Sequence, residues 1–450
     1  MRFPTPTISL TLLCCVPALP AAAKTLYVPS SHYPTIQSAV NAAASGDTVL
    51  VAAKPTPYAE SVRIHTDGIV LQGKNNPVLD GSTVTTGPDP IFPGVQDGPS
   101  GIIVEASHVA VRGFTVQNFS RNEQYDGNPE GFPAAGIRLG GDTDANGNPL
   151  PVVVHDVEVS GCVSQNNYFG YLIGSLANAG DPAQYRIFAN LATRNLTHGF
   201  LVYSGNTALT GNRSLQNAQQ GAGNGDGITT GFDNGVVITG NETAGNVNGI
   251  SVFADFTAAQ QPPTYITFNN VHDNQQDGII PNNGVSAIGA TGSITVSGNV
   301  ISGNSIGIDL SYGISHSTIS YNTVTNNTGQ NQGSFSGIGI DAGYGDTCTV
   351  ANNVVTGSAA DGIYVDDFVS STFSNNQVNN NGGSLGYGFD GYGFDVTAVS
   401  GATSATADTF IRNTAHGNNT YDAYDANGKA TLNTWTQNSF GPNNVPNNGR

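Results

Sequence analysis

Two phrases of this 450-residue chain are near duplicates, Ile306-Gly-Ile-Asp309-x-x-Tyr312-Gly and Ile338-Gly-Ile-Asp341-x-x-Tyr344-Gly. Each offers one carboxyl and one phenol. A third phrase, Gly362-Ile363-Tyr364-Val365, runs into Asp366 and Asp367, and Asp395 follows in the next segment of this kind. Paired carboxyls are the tools of glycoside hydrolysis. A separation of about 5 Å suits a nucleophile and an acid, and about 8 Å leaves room for a water between base and acid. In either arrangement, mutual repulsion lets one acid keep its proton while its partner stays ionised. If Gly307 and Gly339 occupy equivalent positions on neighbouring strands, Asp309 and Asp341 lie about 5 Å apart. Asp366, one strand and two residues further on, then lies about 8 Å from Asp341.

Such residues meet only if the chain stacks upon itself, and the sequence carries a repeat that does this. Asn190, Asn212, Asn241, Asn270, Asn299, Asn322, Asn353, Asn376, Asn413 and Asn438 form a series, each preceded by a short β-run such as Ile294-Thr-Val-Ser297. Each is followed by a second short run, a polar turn and a third run, such as Gly249-Ile-Ser-Val252. Three strands per turn with one corner residue repeated describe a right-handed parallel β-helix, a solenoid of all-β class. One coil buries too little apolar surface to fold alone, and stacking makes a continuous column. Asn suits the corner because it tolerates left-handed backbone and its amide can bond the amide one coil away.

Strand alternation then assigns faces. In each Gly-Ile-x-apolar strand Ile points inward and x outward, which gives an outer row of Arg138, Leu172, Leu201, Thr229, Ser251, Ile280, Asp309, Asp341, Tyr364, Asp395 and Asp422. Two residues along, a second row holds Gly174, Tyr203, Phe253, Ser311, Gly343 and Asp366. Exposed carboxylates stacked once per coil repel one another, so their retention points to use. A carbohydrate site, a cation site and a merely solvating acidic strip all fit the row. As a catalytic centre it would comprise Asp309, Asp341 and Asp366. Arg138, Tyr203, Phe253, Tyr312, Tyr344, Tyr364, Asp367 and Asp395 would line a groove for sugars. Burial of Asp309, or its turning away from Asp341, would remove that centre and leave the solenoid standing. Asp226, Asp277 and Asp361 each precede a Gly at a corner, where side chain-to-backbone turns are expected.

The chain resembles the right-handed parallel β-helix proteins of the pectin-lyase-like superfamily. The opening Tyr33-Pro-Thr-Ile-Gln-Ser-Ala-Val40, then Ser45-Gly-Asp-Thr-Val-Leu-Val51, resembles their N-terminal capping helix (33–44) and first strand. Tyr58-Ala-Glu-Ser-Val62 and Val78-Leu-Asp-Gly81 resemble their first coils, and Trp435 through Phe440 their closing coil. The resemblance implies the fold and leaves lyases, hydrolases, epimerases, esterases and non-catalytic proteins open. For a lyase or uronate epimerase it implies calcium, which Asp309, Asp341, Asp366 and Asp367 could hold, together with a Lys or Arg that this segment lacks. The hydrolase reading requires no cofactor.

Composition narrows the partners. Between Arg213 and Arg412 there is no Lys or Arg but there are fifteen Asp and Glu, within a net charge of −18. Nucleic acid and anionic membranes find nothing there to neutralise their phosphates, so a polysaccharide or oligosaccharide is the expected partner. Arg2, the apolar run from Ile8 to Leu19 and the small residues 21–23 read as a signal peptide (1–23) for secretion or periplasmic export. The β-helix domain would then span 24–450. Cys14 and Cys15 would leave with the signal. Cys162 and Cys348, about seven coils apart, are too distant for a disulfide and are expected to be buried free thiols. His155, His198, His272, His316 and His416 are dispersed, with no two at metal-ligand spacing, and the single Met argues against copper.

Overall fold

The computed structural model describes residues 22–85, 100–120, 134–140, 154–174, 184–217, 225–231, 235–253, 262–282, 293–328, 337–382, 391–397, 407–428 and 432–445. Among these, three parallel sheets of 15, 13 and 14 strands run the length of the molecule. Each coil visits the sheets in turn. The strands Ile294–Ser297, Val300–Ser302 and Ile306–Asp309 make one coil, and Thr318–Ser320, Thr323–Thr325 and Ile340–Asp346 the next.

Short strands suffice because every second side chain enters a shared column. Ile238, Ile266, Val296, Ile319, Val350, Phe373 and Phe410 follow one another in register on the first sheet, all fully buried, and Trp435 closes the series. Each such side chain contributes about 1.5–3 kcal/mol by leaving water. Toward the C-terminal end the column becomes aromatic, with ring centroids 4.8 Å apart for Phe373–Phe410 and 3.9 Å for Phe410–Trp435.

The Asn series forms a hydrogen-bonded ladder at the corner between the first and second sheets. The backbone N–H and Nδ2 of Asn299 both donate to Oδ1 of Asn322, and those of Asn322 to Oδ1 of Asn353. Nδ2 of Asn322 also donates to the carbonyl of Val296. Two features differ from expectation. The fourth rung is Asn269, not Asn270, which sits on the exposed side of the following strand. The left-handed backbone falls one residue earlier, at Ala189, Phe268 and Tyr321 among others, so the rung itself is chosen for its amide. A second ladder, through Asn167, Asn195, Asn217, Asn246 and Asn274, stands at the corner between the second and third sheets.

The N-terminal end is closed by the helix Ile36–Ala42, shorter at both ends than the segment 33–44. Pro34 precedes an extended N-cap, Thr35, which forms a capping box with Ser38. Both carboxylate oxygens of Glu60 accept first-turn N–H groups, from Ile36 and Gln37. Ile36, Ala39, Val40 and Ala43 are buried over the end of the core, as their spacing predicts. Cys162 and Cys348 are free and buried, and burial pushes their thiols up to about 11 and about 12. Among the described residues no helix is long and apolar enough to cross a membrane. The signal segment before residue 22, with Cys14 and Cys15, lies outside the described residues.

Candidate active site

The third sheet sets the register of the acids. Asp309 pairs directly with Asp341, Asp341 with Tyr364, and Tyr364 with Asp395. Gly307 and Gly339 are therefore equivalent, as the duplicated phrases imply. Side chains from these strands and the turns beside them enclose a cleft of about 400 Å³, lined by Gln276, Asp277, Ser305, Ile306, Asp309, Ser311, Tyr312, Asp341, Gly343, Tyr364 and Asp366. Gly343 keeps the middle of the cleft open. A Cβ there would stand 2.8 Å from Cβ of Ser311 and 3.0 Å from Oδ1 of Asp341.

Asp277 belongs to the cleft, although alternation hides it. The Gly before each inward Ile also faces inward: a Cβ on Gly278 would meet Ile301 Cγ2 at 2.8 Å and the carbonyl oxygen of Gly307 at 2.4 Å. Two consecutive residues thus face the core at this corner, and the preceding residue, Asp277, turns out toward the cleft. Asp226 and Asp361, two coils before and three coils after it in the same column, do not line the cleft; Asp361 accepts the backbone N–H of Tyr392, as turn chemistry predicts.

The acids do not stand in solvent, contrary to the expectation of an exposed row. Asp309 and Asp341 are each 3% exposed, so the burial of Asp309 that was to remove the centre is met, although Asp309 keeps its register with Asp341 and lines the cleft. They form the cleft floor, and the height of its walls (Tyr312, Tyr364, Ser305 and Ser311) is a property that alternation does not reveal. Burial raises Asp309, while the hydroxyl and N–H of Ser311 act the other way; that N–H donates to Oδ1 at 2.8 Å. Asp341 is raised well above the usual carboxylate range, first by burial and then by the charges of Asp309, Asp277 and Asp366. Its Oδ1 is buried and has no hydrogen-bond partner among the described residues. Asp277 is pushed to about 8 by burial, Asp309 and Asp226. Asp366 accepts a 2.5 Å hydrogen bond from the hydroxyl of Thr397. The phenols of Tyr312 and Tyr364 are raised by burial and by these acids.

Five of the expected residues meet here: Asp309, Asp341, Asp366, Tyr312 and Tyr364. The other six do not line the cleft. Arg138 is buried on Ala135–Leu139, six strands along the third sheet from Asp309. Tyr203, raised by burial, and Phe253 sit by strands Phe200–Val202 and Ile250–Phe253, four and two steps before that of Asp309. Tyr344 pairs with Asp367 beyond the cleft, and Asp367 is raised by burial and by Asp366. Asp395 lies one coil past Tyr364. The row then ends in Tyr424, which pairs with Asp395, and not in Asp422. The last coil lacks the Gly-Ile phrase, and Asp422 takes the position of the corner Gly, accepting N–H groups from Asn418 and Gly441. Among other aromatics toward the C-terminus, Phe394 is in the core, and Tyr387 and Phe389 lie outside the described residues.

The family model described as "Right handed beta helix region" matches residues 256–445, the part that carries the cleft. The chain is a right-handed parallel β-helix protein. A second family model, "Periplasmic copper-binding protein (NosD)", matches residues 40–260 of this β-helix. None of the curated protein sequences matches it. Several solved structures are similar. The A-module of mannuronan C-5 epimerase AlgE4 from Azotobacter vinelandii has a TM-score of 0.51 at 15% identity, over 85% of this chain and 90% of that one. The catalytic unit of a thermostable GH87 α-1,3-glucanase from Streptomyces thermodiastaticus has 0.53 at 14%, over 96% and 71%. A mannuronic acid-specific family 6 polysaccharide lyase from human gut microbiota has 0.54 at 10%, over 88% and 87%. At these identities the likeness is one of fold. The residues of the β-helix do not fit copper: its two described thiols are buried seven coils apart, and no three His, Cys, Asp or Glu side chains converge as metal ligands among the described residues.

Proposed function

We propose that this β-helix is an exported carbohydrate-active enzyme that hydrolyses a neutral or weakly charged polysaccharide in the third-sheet cleft. One observation carries the reading: Asp309 and Asp341 stand in direct register on the floor of a single cleft, with tyrosines on its walls. Asp341, buried, raised well above the usual carboxylate range and with no hydrogen-bond partner for Oδ1 among the described residues, is placed to protonate a leaving oxygen. Asp309 accepts the Ser311 N–H, which favours its carboxylate form, and Asp366 accepts a hydrogen bond from the Thr397 hydroxyl. Asp309 on the neighbouring strand suits a retaining pair, and Asp366 on the diagonal an inverting one. Tyr312 and Tyr364 offer faces on which sugar rings stack.

A calcium-assisted uronate lyase or epimerase is the second reading, favoured by the acids themselves, which are hard oxygen ligands. Against it stands the absence of Lys and Arg from 214–411, which leaves no side-chain cation to neutralise a uronate. A binding solenoid without catalysis is the third. Incubation with a panel of polysaccharides separates them. Hydrolysis yields new reducing ends without ultraviolet absorbance and elimination yields both. Epimerisation changes uronate composition alone, and a binder gives retention with none of these. Product absorbance with added calcium would overturn the hydrolase reading.

A further inference from the structure

Asp277 is the acid that this arrangement of catalytic carboxyls leaves unused. It lies at the end of the cleft toward the N-terminal coils and is joined to two residues outside it. The backbone N–H of Asp277 donates to Oδ1 of Asn248 at 3.1 Å, and Nδ2 of Asn248 donates to Oδ1 of Asp226 at 2.9 Å. The hydroxyl of Thr229 donates to the other oxygen of Asp226, also at 2.9 Å. Asp226, Asn248 and Asp277 occupy the same corner position on three successive coils: the Gly227 N–H donates to the Asn248 carbonyl and the Gly249 N–H to that of Asp277. A donor on each oxygen makes the surroundings of Asp226 complementary to a carboxylate. The amide of Asn248 is fixed with its nitrogen toward Asp226 and its oxygen toward Asp277.

We infer that Asp277 is a further substrate-contacting residue, binding a sugar hydroxyl at the N-terminal end of the cleft, and that Asp226 and Asn248 are its positioning pair. The inference rests on the carbohydrate reading of the cleft. In its acid form Asp277 both donates and accepts, which matches a sugar hydroxyl; as a carboxylate beside Asp309 it only accepts. The groups facing it decide which form is present. Asp309 and Asp341 lie on the following coils, Tyr312 on the turn beside them and Asp226 on the preceding side. His198, one coil before Asp226, is buried, and burial disfavours its charged form. The charge of Asp226 therefore works with that of Asp309 to retain the proton of Asp277.

The test uses the full mature chain with ¹³C-labelled aspartate carboxyls. One resonance is expected to titrate near pH 8, to vanish in Asp277→Asn, and to move down by on the order of one pH unit in Asp226→Asn, with Asp226→Glu restoring it. In turnover assays KM is expected to rise at least tenfold in Asp277→Ala, with a smaller change in kcat. Its rise at alkaline pH is expected to begin at lower pH in Asp226→Asn. A general loss of folding would depress activity at all pH values without moving that limb. A resonance unmoved in Asp226→Asn, or wild-type KM in Asp277→Ala, overturns the inference. Absence of turnover by the wild type on every polysaccharide overturns the enzymatic reading alone, because the carboxyl titration is read without substrate.

Discussion

The molecule stacks identical polar side chains in two places, with opposite results. At the first corner, Asn amides from Asn190 to Asn438 stand one per coil, each donating to the next and accepting from the last. On the third sheet, Asp309 and Asp341 stand one above the other, and no donor among the described residues meets Oδ1 of Asp341. An amide is self-complementary and a carboxylate is not. The same coil geometry thus satisfies every member of one column and leaves the other dependent on retained protons. Structure alone explains the amide column; the acid column asks for a ligand.

The sharpest way to break the contrast is to exchange chemistries. Asn322→Asp would set a carboxylate oxygen against Oδ1 of Asn353 and the carbonyl of Val296, where Nδ2 now donates. A loss of about 3–5 kcal/mol is expected in denaturant unfolding at neutral pH, since a buried charge would lack a partner. The reverse exchange, Asp341→Asn, is expected to raise stability by about 1–2 kcal/mol at pH 8 and by little at pH 4, where the acid is already neutral. The same variant should lower turnover at least a hundredfold; wild-type turnover would remove Asp341 from the chemistry.

The pH dependence of stability follows from the same acids. Asp277 is held near 8 in the fold against an ordinary value of 3.8 and Asp408 near 7 by burial, and Asp341 is also raised well above the usual carboxylate range. Between those limits the folded chain binds more protons than the unfolded chain. The stabilisation is therefore complete below about pH 4 and is lost as pH rises through 7 to 8. Unfolding free energy is expected to fall by on the order of 2–3 kcal/mol across this window, and Asp277→Asn should flatten the curve. The smallest effect concerns space: Gly343→Ala is expected to cost about 1 kcal/mol of stability. It should also lower turnover several-fold, with binding of short oligosaccharides as the direct readout.

How much of this was legible beforehand varies with the kind of information needed. The coil path, the capping helix, the free thiols and the Asp309–Asp341 register follow from period and spacing, because each coil repeats the last. Asn269 and Asn270 look alike in sequence, and only a hydrogen bond chooses between them. Alternation hides Asp277 because it breaks at a corner where Gly278 and Ile279 both face inward. The register of Asp422 is hidden for a related reason, since the coil that holds it lacks the Gly-Ile phrase that marks the register. The depth of the acids was invisible, because wall height depends on where Tyr312 and Tyr364 lie above the sheet.

The amide column has one more consequence. Successive rungs are separated by anything from 22 to 37 residues, yet each bond has the same partners and length to within a few tenths of an ångström. Whole coils are therefore interchangeable parts: one can be excised or duplicated between rungs and the junction will present an oxygen to the same pair of donors. Only a change of fractional-coil length breaks the match, so the solenoid is a scaffold whose reach can be reset in steps without redesigning its joints.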